Sequence, residues 1–269
     1  NLSLFSWGFF KSSAKYNVVS ARLGIGSWLK NLFNSNKTYV VVHDYDECRY
    51  NSFFLKLYYP LLFSIFRNFK PKRMKMVVIS PYWVNYFHED KKIGVDLLLL
   101  FPNLLNVAQI LKERSETKQK MVHLGQYSKK NSNLVFEIAS KLSKKGYFCY
   151  FSTLDKGIVS EYSEYSILHF PDYESYLKKM AESQCTLGFS RFHEGWNRVV
   201  HESALLNTPV IAFRKGGMQF LVQESNNYLV DSISQAIDII TKNEEYKCPE
   251  SFIYKYDVSK APNYLKHVH

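Results

Sequence analysis

The chain has 269 residues, a length that suits one large domain or two small ones and excludes a short peptide module. Hydrophobic residues make up 46% and charged residues 22%, so the chain can bury a full core and does not have the composition of a disordered protein. A formal net charge of +11 predicts an anionic partner, for which nucleic acid, an acidic membrane face and phosphorylated substrates are the candidates.

The sequence contains no stretch of about 18 uncharged apolar residues, so no membrane-spanning helix is predicted. The first residues show neither a basic region ahead of their apolar part nor a small-residue cleavage pattern. The chain lacks an initiator Met, which leaves open whether residues precede it. Its 4 cysteines are far apart and form no CxxC pair, which indicates reduced thiols and a cytoplasmic protein.

Short β-rich apolar runs alternate with longer amphipathic stretches, a pattern that predicts βα units around parallel sheets. In chain order the predicted strands are 16–19, 39–42, 76–80, 97–101, 121–124, 148–151, 167–170, 186–189 and 209–213. The predicted helices are 132–145, 173–182, 198–206 and 234–242. Two βα blocks meet near 102–118, where a cluster of charged residues precedes a new strand. We therefore expect two domains, residues 1–106 and 107–269.

Basic residues are concentrated in one segment without acidic residues, 53–75. Its cations are Lys56, Arg67, Lys70, Lys72, Arg73 and Lys75. Cations interleaved with aromatic and aliphatic side chains are typical of a segment that lies on an anionic membrane surface. A core helix with a solvated basic end is an equally open interpretation. Nucleic-acid binding is disfavoured, because the aromatic residues are too continuous to all serve as exposed stacking platforms.

The stretch 187–222 carries the most chemical information and reads LGFSRFHEGWNRVVHESALLNTPVIAFRKGGMQFLV. Glu194 and Glu202 lie eight positions apart, a separation of about 12 Å on a helix. That distance suits hydroxyl groups at the two ends of one bound molecule. Gly216-Gly217 directly precedes a predicted helix, whose N–H groups suit a phosphate between those hydroxyls. A sugar–diphosphate–ribose donor fits this layout.

This block resembles the donor-binding half of GT-B glycosyltransferases, most closely the retaining enzymes of glycosyltransferase family four. The family pattern is Ser-x-x-x-Glu-Gly, a second Glu eight positions after the first, Gly-Thr-Pro-Val-Ile-Ala and Gly-Gly. The matching residues are Ser190, Glu194-Gly195, Glu202, Asn207-Thr208-Pro209-Val210-Ile211-Ala212 and Gly216-Gly217. The resemblance implies that Glu194 binds hydroxyls of the donor sugar and that Glu202 binds the ribose. It also implies that the amides around Gly216 and Gly217 meet the diphosphate or the sugar.

The resemblance extends more diffusely over residues 16–242. It implies that Lys129 or Lys130, in the stretch that begins with Gly125 after the predicted strand 121–124, stabilises charge on the leaving phosphate. Gln126 stands where the family has Arg, and the candidates to compensate are Arg191, Arg198 and Arg214. His43, at the end of strand 39–42, is placed near the sugar and phosphate. The candidate catalytic residues are therefore Glu194, His43, Lys129 and Lys130. The candidate donor-binding residues are Glu202, Gly216, Gly217, Gly125, Ser190, Gly195 and Arg198.

The fold implied by the resemblance is α/β with two Rossmann-like domains of the GT-B type. The N-terminal domain is shortened or truncated, because few residues precede its first matched strand. The implied enzyme moves a hexosyl or pentosyl group from a nucleotide-diphosphate sugar to a lipid-linked or cell-surface glycan in polysaccharide biosynthesis, with retention and without a metal or other cofactor. We expect a cytoplasmic protein, peripheral at the inner membrane face, with no nucleic-acid partner.

Two alternatives are open. Asp44-Tyr45-Asp46 follows strand 39–42, and Asp-x-Asp at a strand end is how GT-A glycosyltransferases hold a divalent metal. A GT-A fold needs no second Rossmann-like half and does not explain the block 187–222. A non-catalytic polyanion-binding protein is the other alternative, and it predicts salt-sensitive binding without turnover.

Overall fold

The structure, a computed structural model, describes residues 16–21, 24–33, 37–42, 53–69, 72–98, 103–128, 131–190 and 193–260. The chain divides into unit 1, Asn1–Leu99, and unit 2, Leu100–His269. Each unit has its own sheet and its own buried core.

Unit 1 is built on a parallel sheet, which in its described part has four strands in the order β1-β2-β3-β4. The strands are β1 (Tyr16–Ser20), β2 (Lys37–Val42), β3 (Met74–Val78) and β4 (Leu97–Leu98). The helices that connect them are α1 (Gly24–Phe33), α2 (Phe53–Ser64) and α3 (Pro81–Glu89). A π-helical turn, Ile65–Phe69, continues α2. Strands β2 and β3 are buried along most of their length, as expected where helices cover a parallel sheet.

Helix α3 shows how the sequence positions the core of unit 1. Ser80 lies at its N-cap and Pro81 at its first turn, where a missing N–H costs nothing. Trp83 and Phe87, one turn apart, are both fully buried against the sheet. Their rings pack with centroids 5.8 Å apart.

Unit 2 contains a seven-stranded sheet in the order β11-β10-β9-β5-β6-β8-β7. The strands are β5 (Gln119–Gln126), β6 (Phe148–Thr153), β7 (Ser160–Glu161), β8 (Ser166–His169), β9 (Ser183–Gly188), β10 (Val210–Phe213) and β11 (Tyr228–Val230). The pairing of β7 with β8 is antiparallel, and the other pairings are parallel. Without the two-residue β7, the strands counted from β5 have the Rossmann order 3-2-1-4-5-6.

Helices cover both faces of this sheet. In chain order they are α4 (Val107–Leu111), α5 (Asn133–Ser143), α6 (Tyr173–Glu182), α7 (Arg198–Leu205), α8 (Met218–Glu224), α9 (Ile233–Lys242) and α10 (Glu250–Ile253). One apolar layer contains buried residues of α4, α6, α7, α8 and α10, and the other contains those of α5 and α9. Asn, Ser or Asp side chains cap α4, α5, α6, α7 and α9, which is why these helices start where they do.

The two units confirm the predicted α/β class with parallel, Rossmann-like sheets. The sequence does not predict β7 or β11, since strands of two and three residues are too short to show an alternating pattern. No helix in the described part of the chain is long and apolar enough to cross a membrane.

Candidate functional site

A cavity of about 270 Å³ lies at the carboxyl ends of β5 and β9. These neighbouring strands form the topological switch point of unit 2. Helix α5, after β5, packs on one face of the sheet, whereas α7, after β9, packs on the other. A crevice opens between the two connections, and ligands of open α/β sheets bind at this place. We call it the switch-point cavity.

The loop after β5 forms one wall of the switch-point cavity. Gly125 has φ +91°, a left-handed conformation that favours glycine, so the chain can turn directly at the end of the strand. Asn131 closes the loop, because its Nδ2 donates to the Gln126 carbonyl at 3.0 Å and its Oδ1 accepts from the Ser128 N–H at 2.6 Å. Asn131 also forms a β-bridge with Ser190, which ties this wall to the end of β9.

Glu194 lies in the opposite wall, in the connection from β9 to α7. The Gly217 N–H donates to the Glu194 backbone carbonyl at 2.6 Å. Gly216 has φ +62°, and a Cβ there would lie 2.8 Å from the backbone N and O of Glu194. Asn197 Nδ2 donates to Glu194 Oε2 at 2.7 Å. Two glycines therefore position the backbone of Glu194, and an amide positions its carboxylate.

Helix α7 begins at the switch-point cavity. Its N-cap residue Asn197 and its first residues, Arg198 and Val199, belong to the lining. The N–H groups of a first helical turn and the positive end of the helix dipole attract anions. The Arg198 side chain is 61% exposed and places a guanidinium at the same end of the helix, 3.5 Å from the Glu202 carboxylate. This wall suits a phosphate or diphosphate group.

Glu202 lies one turn further along α7 and is buried. Its Oε1 accepts from the Tyr173 hydroxyl at 2.7 Å, and its Oε2 accepts from the Tyr176 hydroxyl at 3.2 Å. Burial raises the pKa of Glu202 above its ordinary value, whereas the Tyr173 hydrogen bond and the Arg198 charge act in the opposite direction. Burial and the neighbouring Glu202 raise the pKa of both tyrosines. These tyrosines supply hydrogen-bond donors to a carboxylate that has little contact with solvent.

His201 is buried behind the cavity among aromatic rings. Its ring centroid lies 5.8 Å from that of Trp196, which lines the cavity, and 5.3 Å from that of Phe252. Neither ring nitrogen has a hydrogen-bond partner within the described part of the chain. Burial lowers the pKa of His201 to about 3, so the imidazole is neutral at ordinary pH.

Several residues predicted from the sequence come together here. Gly125, Ser190, Glu194 and Arg198 line the switch-point cavity. Gly216 and Gly217 contact the Glu194 backbone, Gly195 is buried beside it, and Glu202 lies outside the described lining. Their roles toward a ligand stay predictions.

The remaining candidates, His43, Lys129 and Lys130, lie outside the described residues, as do Asp44, Asp46 and Arg191. Arg214 contacts Asp231 at 3.5 Å and is not part of the described lining. Among the residues that the structure describes, no group of three or more His, Cys, Asp or Glu side chains could hold a metal ion.

Four residues of the site are not evident from the sequence pattern: Asn131, Asn197, Tyr173 and Tyr176. Asn197 has a local signal, because Asn is a preferred N-cap and the predicted helix begins at the next residue. Tyr173 and Tyr176 share one face of α6, but their partner Glu202 lies on another helix. Residue spacing within α6 cannot reveal that contact.

Comparison of the sequence and the structure with known proteins identifies the structural class of the chain. No family model matches the sequence, and no curated protein shows significant sequence similarity to it. Solved structures do match. TarM has a TM-score of 0.66 and 15% identity, covering 94% of this chain and 54% of TarM. Sucrose-phosphate synthase from Thermosynechococcus elongatus has a TM-score of 0.69 and 13% identity, covering 96% of this chain and 73% of the synthase.

A structure of Anabaena HepE in complex with UDP has a TM-score of 0.67 and 13% identity, covering 94% of this chain and 78% of HepE. These neighbours are GT-B glycosyltransferases, so the chain has the GT-B fold predicted from the sequence. The chain spans about half the length of TarM. The GT-A alternative does not account for a second Rossmann-like unit.

Proposed function

We propose that this chain is a glycosyltransferase that takes a sugar from a nucleotide-diphosphate donor and passes it to a glycan or lipid-linked acceptor. The observation that carries the proposal is the lining of the switch-point cavity, where the start of helix α7 lies beside a carboxylate held by a hydrogen bond. The N–H groups of a helix start suit an anion. A nucleotide sugar offers the matching pair of groups, a diphosphate and a set of hydroxyls. HepE, which shares the fold, has been solved with UDP and with UDP-glucose.

In the proposed complex, the diphosphate lies at the start of α7 beside Arg198. The hydroxyls of the donor sugar donate to the carboxylate of Glu194, whose oxygens can only accept when ionised. Glu202 keeps its predicted role toward the ribose, with Tyr173 and Tyr176 as the groups that hold its carboxylate. Lys129, Lys130 and His43 keep their predicted roles at the phosphate and the sugar.

The chemistry proposed for this site is positioning combined with stabilisation of charge on the departing nucleoside diphosphate. The helix start and the basic side chains supply that stabilisation, so we propose a reaction that needs no metal ion or other cofactor. Retention of anomeric configuration is supported by the resemblance of the block 187–222 to retaining enzymes. A non-catalytic polyanion-binding protein would bind nucleotides in proportion to their charge alone.

Thermal-shift titration and calorimetry with UDP, GDP, ADP and CMP, each with and without Mg²⁺ or Mn²⁺, test this function. We expect one nucleoside diphosphate to stabilise the protein without metal, by about 2.7 kcal/mol at a concentration of 100 times its Kd. Incubation with the corresponding nucleotide sugars then identifies the donor by release of the diphosphate. Stabilisation that requires metal would contradict the metal-independent mechanism, and no stabilisation by any nucleotide would contradict the function.

We also propose that unit 1 binds an anionic membrane surface and places the enzyme at the cytoplasmic face of the inner membrane. Helix α2 and the π-helical turn after it bury Leu62 and Phe66, so this segment is part of the core. The same segment exposes Leu57, Leu61 and Phe69 by 59%, 54% and 66%. Large apolar side chains at this exposure are suited to insertion among lipid head groups.

A cluster of basic side chains around a cavity includes the end of this segment, because Phe66 and Arg67 of the π-helical turn belong to the cavity lining. Arg67, Lys72, Lys75, His88 and Lys92 line this cavity of about 800 Å³, which we call the basic cavity. Asp96 is the one acidic residue in its described lining, and its Oδ1 lies 2.9 Å from the Lys75 ammonium. The excess of positive charge beside exposed apolar side chains supports binding to anionic head groups.

Sedimentation with phosphatidylcholine vesicles, with and without phosphatidylglycerol, tests the membrane proposal. We expect binding only to the anionic vesicles. The variant with Lys70, Lys72, Arg73 and Lys75 all changed to Ser should lose most of it while nucleotide binding is unchanged. Equal sedimentation of this variant and the wild type would contradict the proposal.

A further inference from the structure

The side chain of Asn197 joins two parts of the switch-point cavity. Its Oδ1 accepts from the Val200 N–H at 3.1 Å and so caps helix α7. Its Nδ2 donates to Glu194 Oε2 at 2.7 Å, and the same nitrogen lies 3.9 Å from the sulfur of Met218. One amide therefore connects the start of a helix with the carboxylate in the cavity wall.

The cap determines which end of the amide faces Glu194. A backbone N–H needs an acceptor, and the amide has a single acceptor, its carbonyl oxygen. With that oxygen on Val200, the NH₂ group must face the carboxylate, to which it can only donate. The flipped amide would lose both hydrogen bonds and place two oxygens against each other. The orientation of Asn197 is thus set by two independent contacts.

The course of the Glu194 backbone is determined elsewhere. The Gly217 N–H donates to its carbonyl, and the absent Cβ of Gly216 permits the close approach of the two loops. Asn197 contacts the carboxylate itself. A change at Asn197 should therefore turn the carboxylate without rebuilding the loop.

We propose that Asn197 is a positioning residue, which sets the direction of the Glu194 carboxylate and through it the recognition of the sugar hydroxyls. This inference rests on the proposed function. A carboxylate that is held before the donor arrives does not lose side-chain freedom on binding, which strengthens its contribution to affinity and to selection among sugars.

The decisive variant is Asn197→Asp. Asp is as good an N-cap as Asn, so helix α7 and the fold are retained. The NH₂ donor is replaced by an oxygen that faces the Glu194 carboxylate. Asn197→Ser is the second variant, because Ser also caps a helix but is too short to reach Glu194. Ser232→Ala, which removes the cap of α9, is the matched control for loss of helix stability alone.

The first measurement is the ratio of the affinity for the nucleotide sugar to that for its nucleoside diphosphate. We expect Asn197→Asp to lower this ratio about tenfold or more and Asn197→Ser to lower it by less, since only the former adds a repulsive charge. Affinity for the diphosphate alone should change less than about twofold in Asn197→Ser, whereas in Asn197→Asp the added charge at the start of α7 also weakens it. The ratio separates this common loss, which both ligands share, from the loss at the sugar. The acid side of the pH–activity profile should move to higher pH in Asn197→Asp. Ser232→Ala should leave the ratio unchanged.

The second measurement does not depend on the proposed function. Carbon-13 NMR of the Glu194 carboxyl should show its pKa raised by about one unit or more in Asn197→Asp, because two carboxylates at hydrogen-bond distance disfavour each other's charge. A wild-type protein that binds no nucleotide would overturn the proposed function but leave this readout. An unchanged pKa, or an unchanged affinity ratio in a wild type that does bind nucleotide sugars, would overturn the role of Asn197.

Discussion

The switch-point cavity of unit 2 and the basic cavity of unit 1 are built in opposite ways. The first lies at the carboxyl ends of its strands, and the Glu194 carboxylate in its wall is held by a hydrogen bond and a helix cap. The second lies at the amino ends, since β3 begins at Met74 and Asp96 directly precedes β4. Its cations extend from exposed positions such as Arg67 and Lys72.

The contrast between fixed groups and exposed, movable cations determines what each cavity can recognise. Groups held in one geometry distinguish molecules that differ by a hydroxyl, because a misplaced partner leaves a polar group unpaired. Long, solvent-exposed Lys and Arg side chains can adjust to many different anions. Each adds about the same electrostatic contribution to the binding free energy, whatever the shape of the anion. We therefore expect single substitutions to have large effects at the switch-point cavity and small effects at the basic cavity.

The largest effect is expected from Glu194→Ala. Loss of the carboxylate removes the proposed partner of the sugar hydroxyls. Loss of one well-placed group in a preorganised site lowers the rate by about a hundredfold to a thousandfold. Glu194→Gln, with the same shape and no charge, should recover part of this activity. Both variants should unfold at the wild-type temperature within a few degrees. Turnover at the wild-type rate in Glu194→Ala would contradict the assignment of the reaction to the switch-point cavity.

Gly216→Ala should give the next largest effect. The residue has φ +62°, and the new Cβ would lie 2.8 Å from backbone atoms of Glu194, so both strain and collision are introduced. We expect a loss of about 2 to 3 kcal/mol in the free energy of unfolding, together with weaker nucleotide-sugar binding. Gly94→Ala in unit 1 is the matched control, because its Cβ would meet nothing within 4 Å. Equal effects of the two substitutions would show that Gly216 does not support Glu194.

Low pH should destabilise the wall behind the switch-point cavity. Burial lowers the pKa of His201 to about 3, below the unfolded value of about 6.5. The unfolded state therefore binds the proton first, and stability is lost as pH falls from 6.5 toward 3. Between pH 7 and pH 5 the expected loss is about 2 kcal/mol from this residue. Burial also lowers the pKa of His123 to about 3, so His123 contributes a similar loss in the free energy of unfolding.

The variant His201→Phe isolates the contribution of His201 to the acid destabilisation. Its aromatic neighbours Trp196, Phe252 and Tyr256 form an environment that accepts another ring. Urea unfolding at pH 7 and pH 5 should show about 2 kcal/mol less acid destabilisation in this variant than in the wild type. Identical pH dependence in the two proteins would mean that the pKa of His201 in the folded state equals its unfolded value and would contradict the lowered pKa.

Much of unit 2 can be predicted from the sequence, because its signals are local. The helix 173–182 matches α6, and four residues of the block 187–222 come together: Ser190 and Glu194 line the cavity, and Gly216 and Gly217 contact the Glu194 backbone. Contacts between distant elements leave no such signal. Tyr173 lies 29 positions before Glu202, and the β-bridge of Asn131 with Ser190 depends on β5 and β9 being neighbours. Strand order arises from packing of the whole sheet, so these partners require the structure.

The smallest effects are expected in the basic cavity. Single substitutions of two of its lysines test its difference from the switch-point cavity. Lys72→Ser should weaken binding to phosphatidylglycerol vesicles about fivefold, since one cation near a membrane contributes about 1 kcal/mol. Lys75→Ser should weaken it by a similar factor, because loss of the ammonium that lies 2.9 Å from Asp96 leaves that carboxylate unpaired and lowers the local charge by the same amount. Raising the salt concentration should reduce both differences by screening. A loss of a hundredfold from either single substitution would contradict the view of an adaptable surface and indicate a defined anion site of the kind proposed for unit 2.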